Sequence, residues 1–195
     1  MTRLKGQDMK NRGGMTLVEL MVALLIFGIV MSVVFSVMVN SRNSYEDTRE
    51  RAQFQQSIRA VISLLTREIR SAGCNPTQAG FEPLPVASAW VLQCRSDLNG
   101  DADANDLNPD ENVTYTFNPG TGELFRDNGS GPVVILRGLQ GVAFNFYDGA
   151  GNQLNNVPLG PLDRAQVREV GVTLQGDLGD GETVSYSTRV ALRNG

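Results

Sequence analysis

The chain of 195 residues contains no histidine and only two cysteines. Without histidine it lacks the commonest general base and a frequent ligand of zinc and copper. It also has no G-x-S-x-G turn and no glycine-rich phosphate loop. Its many serines and aspartates therefore assemble into no recognisable nucleophile–base pair, and the expectation is a protein that is not an enzyme. Basic residues are scarce as well, 17 against 21 acidic ones. Four of them, Arg3, Lys5, Lys10 and Arg12, fall within residues 1–14 beside a single acid, Asp8. The remainder holds 13 basic and 20 acidic residues, a net charge of −7, which argues against direct nucleic-acid binding. Between Met15 and Val39 there is no proline, and no charge except Glu19.

That uncharged stretch is the most informative part of the chain. At ~1.5 Å per residue it makes a helix of roughly 37 Å, enough to cross a hydrocarbon core of about 30 Å. It is apolar all round, as a lipid-facing or bundle-core helix requires. A lone carboxylate inside it costs roughly 2.5–3.5 kcal/mol on insertion scales, so Glu19 needs a partner. A free amino terminus created by cutting between Gly14 and Met15 would supply one. The basic leader holds its end of the chain in the cytoplasm. An ordinary secretory signal places its cleavage site after the apolar region. Here Gly13 and Gly14 precede it, so cleavage would leave the helix on the mature protein. An uncleaved single-span anchor would explain neither the glycines nor Glu19. Gly28, Ser32 and Ser36 recur every fourth residue, a spacing that allows close helix approach.

These residues resemble the N-terminus of a type IV prepilin, with its class III signal peptide. The resemblance implies that a prepilin peptidase cuts after Gly14 and N-methylates Met15. It makes Glu19 the fifth mature residue, which acts in assembly. It implies a pilin-like α+β fold: one long N-terminal helix, with a membrane half and an amphipathic half, packed on an antiparallel β head.

The pattern beyond Asn40 agrees with that division. Residues 40–73 are polar, with a sparse apolar stripe of Tyr45, Ala52, Ile58, Ile62, Leu65, Ile69 and Ala72, widened by Val61 and Leu64. Gly73 and Pro76 are stop signals. One helix of about 58 residues, near 87 Å if straight, is the expectation; two helices broken near Asn40–Asn43 are the alternative. From Ala89 onward seven short runs read as strands: AWVLQC, NVTYTF, GELFRD, PVVILR, VAFNFYD, REVGVTLQ and ETVSYSTRVALR. PGTGE, DNGSGP and DGAGN suit tight turns. The resulting organisation is a leader (1–14), a membrane or filament-core helix (15–39), an amphipathic helix (40–73) and a β head (74–195) with an acidic loop (97–111).

The head is similar to minor-pilin heads of the PilW type. The matching positions are Glu111 and Tyr115, then Gly122, Leu124 and Arg126. Phe144 to Asp148 follow, then Asp148, Gly151 and Asn152, and finally Arg168, Val170, Val172 and Leu174. The J-type minor pseudopilins of type II secretion share the architecture. These resemblances imply a structural subunit that helps initiate pilus assembly with other minor and major pilins and an inner-membrane assembly platform. It would be anchored by a single span, head outside the cytoplasm, before entering the filament. A type II secretion pseudopilin is one alternative function. An adhesion or DNA-uptake module is another.

Two further features suggest sites. Six acids and no basic residue lie between Asp97 and Glu111. Asp97, Asn99, Asp101 and Asp103 place oxygen ligands at alternate positions, as a calcium loop does. The sixth position is Ala102 rather than glycine, and the twelfth is Asn108. Counting from Asn99 puts Asp110 twelfth. A solvated loop of Asx turns fits equally. Cys74 and Cys94 both fall in the extracytoplasmic part, where a disulfide is the default. It would close a loop of about 20 residues and contribute about 3 kcal/mol.

Overall fold

The computed structural model describes residues 15–178 and 183–193. Helix α1 runs unbroken from Leu17 to Ser71, 55 residues, so no break occurs near Asn40–Asn43. Thr16 caps its start: Glu19 N donates to Thr16 Oγ1 at 3.3 Å, and Leu20 N donates to Thr16 O at 3.1 Å. Thr16 and Glu19 have the spacing of a capping box. Past Ser71 the chain leaves the helix through Gly73, whose φ of +80° suits a residue without Cβ.

The chain divides into two compact units, Met1–Glu50 and Arg51–Gly195. In the first unit, the large apolar side chains from Met15 to Val39 remain between 41% and 75% exposed. An apolar surface of that extent on a helix this long is suited to lipid or to other helices, not to water.

The second unit is built on the last turns of α1 and, among the described residues, two antiparallel sheets. The first sheet contains β1 (Val86–Ala87), β2 (Val91–Arg95), β3 (Asn112–Asn118), β4 (Glu123–Asp127) and β5 (Val133–Leu136), in that spatial order. The second contains β6 (Leu139–Tyr147), β7 (Gln153–Leu154), β8 (Glu169–Asp177) and β9 (Thr183–Ala191), in the order β7-β6-β8-β9. A four-residue helix, α2 (Pro161–Arg164), precedes β8.

Period-two alternation turns Val113, Tyr115 and Phe117 of β3 inward. It does the same for Val142, Phe144 and Phe146 of β6. These residues share one core with Ile58, Val61, Leu65 and Ile69 of α1 and with Ala72 just past its end, all at most 6% exposed. Steps of three, four, four and three set that helical face. It differs from the expected stripe at its start: Tyr45 and Ala52 are exposed, and Val61 is buried more deeply than Ile62.

Two glycines are needed for close approach. A Cβ on Gly176 of β8 would sit 2.2 Å from Phe54 Cε1, so the bare backbone gives the α1 ring room against the sheet. A Cβ on Gly122 would meet Leu139 O at 2.6 Å, and Gly122 has φ +65°. Its carbonyl accepts Leu139 N at 3.0 Å, joining the β3–β4 turn to the start of β6.

All seven expected strands are present, and the three expected turns connect β3 to β4, β4 to β5, and β6 to β7. The strands of the antiparallel head fall into two sheets. The link from Leu136 to Leu139 is short enough for a hairpin, yet β5 and β6 belong to different sheets. Gly138, at φ +76°, lies in this link.

Candidate functional site

The candidate assembly site is the start of α1. Gly14 and the leader, 1–14, lie outside the described residues. Met15 is 65% exposed and Glu19 is the acid of the first helical turn. A carboxylate there is favoured by the first-turn N–H groups, which lack intrahelical partners, and by the positive end of the helix dipole. Glu19 is also the one carboxylate in an exposed apolar surface, so its charge is available to a cation presented by another helix.

The acidic loop is more closely organised than its composition suggests. Asp97 is fully buried. Its carboxylate accepts Gly100 N at 2.5 Å, Ala102 N at 3.2 Å and Thr77 Oγ1 at 2.8 Å. Burial pushes its pKa up, but the Thr77 hydroxyl and the loop amides outweigh it and hold the group below the usual value. Ala102 is drawn into the left-handed region, φ +73°, at the sixth position where calcium loops place glycine. Asp103 turns back on its own segment, accepting Ala104 N at 2.7 Å and Asn105 Nδ2 at 2.8 Å.

The expected calcium-ligand set is therefore only partly brought together. Asp97 and Asp103 are occupied in holding the loop. Asp110 faces away from it, accepting Arg126 Nη2 at 2.6 Å and Asn128 Nδ2 at 2.8 Å. Asp101 does meet other carboxylates, but they are Asp106 and Glu111, with oxygens of all three within 4.8 Å of one another. Asn99 Nδ2 donates to Asp101 Oδ2 at 3.1 Å and to Asp106 Oδ2 at 2.8 Å. Counting alternate positions could not find Glu111, because the fold of the loop rather than its spacing brings that residue, just ahead of β3, back to Asp101 and Asp106.

Arg126 of β4 is the centre of a second cluster that the sequence did not reveal. Its Nη2 lies 2.7 Å from Glu68 Oε1 on α1 as well as 2.6 Å from Asp110, with Arg126 and Glu68 each 16% exposed. Tyr115 of β3 donates its hydroxyl to Glu68 Oε2. Burial first, then the Glu68 charge and hydrogen bond, pushes the Tyr115 pKa well up, so the phenol stays a donor.

Cys74 and Cys94 are both free thiols in this structure, Cys74 half-buried and Cys94 buried. Burial, then the Glu68 charge, pushes the Cys94 thiol pKa far up. The segments that carry them are already hydrogen-bonded: Gly73 N donates to Arg95 O at 2.9 Å and Asp97 N to Cys74 O at 2.7 Å.

Residues 9–35 match the family model of the prokaryotic N-terminal methylation motif. The match covers the leader's end, the Gly14–Met15 junction, Glu19 and most of the apolar run. The N-terminus is thus that of a type IV prepilin-like protein, a group that includes pilins and pseudopilins. Such a motif implies processing by prepilin peptidase, membrane anchoring through the apolar helix and assembly with other pilins. No curated protein matches the chain.

Proposed function

We propose that this chain is a minor pilin of the PilW type, a non-enzymatic subunit that helps initiate type IV pilus assembly. The observation that carries the proposal is the isolated Glu19 in the first turn of an exposed apolar helix, four residues past Met15. Cleavage after Gly14 creates an ammonium group at Met15, and methylation leaves it charged. Glu19 on one subunit attracts that ammonium on a neighbour, which sets their axial register. The β head stays outside the inner membrane and then on the filament. The head motifs support the PilW reading because their residues hold the head together: Tyr115 and Arg126 bind Glu68 of α1, and Gly122 lets the β3–β4 turn approach the start of β6.

Mass analysis of the N-terminus in sheared filaments tests the proposal. The expected species begins with N-methylated Met15. An intact leader in assembled material would sink it.

The export that this function requires also leads to an oxidised Cys74–Cys94 pair, joining segments already held side by side. Peptide mapping of exported protein without reductant should find the two cysteines linked. Recovery of both as freely alkylated thiols would refute the bridge.

A further inference from the structure

We propose that Asp101, Asp106 and Glu111 form a calcium site in the head. Three observations combine. Carboxylate oxygens of the three residues lie within 4.8 Å of one another. Two ligands on opposite sides of a calcium ion, each at about 2.4 Å, are separated by the same span. Glu111 is 1% exposed, and its Oε1 accepts Leu98 N at 2.7 Å and Asn99 N at 3.1 Å. Its Oε2 is buried and, among the described residues, has no hydrogen-bond partner. A buried acceptor without a donor is costly, more so on a carboxylate, and a cation removes the cost.

Local side chains do not supply that cation. No lysine or arginine lies between Ser96 and Phe125. Arg126, next in sequence, is bound to Glu68 and Asp110. The Asn99 amide now lies between Asp101 and Asp106 with its Nδ2 toward both. Rotating the amide exchanges Nδ2 for Oδ1, which replaces a donor with a further oxygen ligand at the cost of the bond that Oδ1 accepts from Asp101 N at 3.0 Å. Asp101 is exposed and Asp106 half-buried, so water can complete the six to eight oxygens that calcium takes. An oxygen-only set favours calcium over zinc or copper, and an irregular one favours it over magnesium, which requires near-ideal octahedral geometry.

The test is calcium titration of the full-length protein in detergent, followed by thermal melting and calorimetry, with a chelator as control. The wild type should bind one calcium in the 10⁻⁴–10⁻³ M range of extracellular modules, with a chelator-reversible rise in Tm. Glu111→Gln keeps the acceptor for Leu98 and Asn99 and should weaken binding at least ~10-fold, as should Asp106→Asn on the open side. Asp103→Asn, outside the cluster, should bind as wild type does. Absence of a calcium response in the wild type would overturn the site, as would unchanged affinity in Asp106→Asn. An equal response to magnesium would overturn the assignment to calcium.

Discussion

Replacing Glu19 by alanine is expected to leave membrane insertion and leader removal intact and to remove the protein from filaments. Removing a charge from an apolar helix makes insertion easier, so a defect confined to assembly cannot be attributed to failed insertion. A carboxylate and an ammonium 4 Å apart attract by about 4 kcal/mol at an effective dielectric of 20, before desolvation costs. Retaining a third of that changes an association constant about tenfold. The structure adds a competing role, because Glu19 also stands at capping-box spacing from Thr16 and sits at the positive end of the helix dipole. Glu19→Gln separates the two. Glutamine serves in a capping box but cannot pair electrostatically, so both variants should be missing from sheared filaments while appearing correctly trimmed in membranes. If Glu19→Gln assembles normally and Glu19→Ala does not, the residue acts through its helix. If both enter filaments as well as wild type, charge pairing does not set register.

The parts of this molecule that were legible in its sequence are those fixed by local chemistry. The apolar run around Glu19 announces its helix because length, missing charge and missing proline all point the same way. Strands β3 and β6 announce themselves because alternation runs through residues 113–117 and 142–146, and β8 because Val170, Val172 and Leu174 keep the same period. Two-residue β1 and β7 and four-residue α2 are too short to show any period. The division into two sheets was hidden because pairing is a relation between distant segments, and nothing in Arg137–Gly138 distinguishes a sheet change from a hairpin. The acidic loop failed for a related reason. Its composition pointed to cation chemistry, but one candidate ligand, Asp110, is paired with an arginine 16 positions on. Glu111 meets Asp101 and Asp106 only because of how the loop folds. Glu68 and Tyr115 are 47 residues apart, and no local spacing rule can bring them together.

Arg126→Met is expected to destabilise the head by about 3 kcal/mol, at the lower end for breaking a buried pair because Asp110 is one-third exposed. The loss would come mainly from what is left behind. Among the described residues, Glu68 would keep its charge beneath the first sheet with only Tyr115 donating to it, and Asp110 would keep only Asn128. Methionine fills the space of the arginine stem, so the change tests charge rather than volume. Combining it with Glu68→Gln removes the stranded charge and should cost less than the two single losses added together, the signature of a coupled pair. The acid limb of stability should change too. Hydrogen bonding from Asn128, opposed by desolvation and aided by Arg126, holds the Asp110 carboxyl below its ordinary value of 3.8. The unfolded chain therefore binds this proton more readily. The resulting stability is present above pH ~4 and is lost as pH falls through the lowered folded value. Arg126→Met should flatten that limb, since one cause of the depression is gone. Denaturant melts of the full-length protein in detergent, repeated between pH 2.5 and 7, measure both effects. A loss no larger than the ~1 kcal/mol of an exposed ion pair, with an unchanged acid limb, would show that the cluster is only surface decoration.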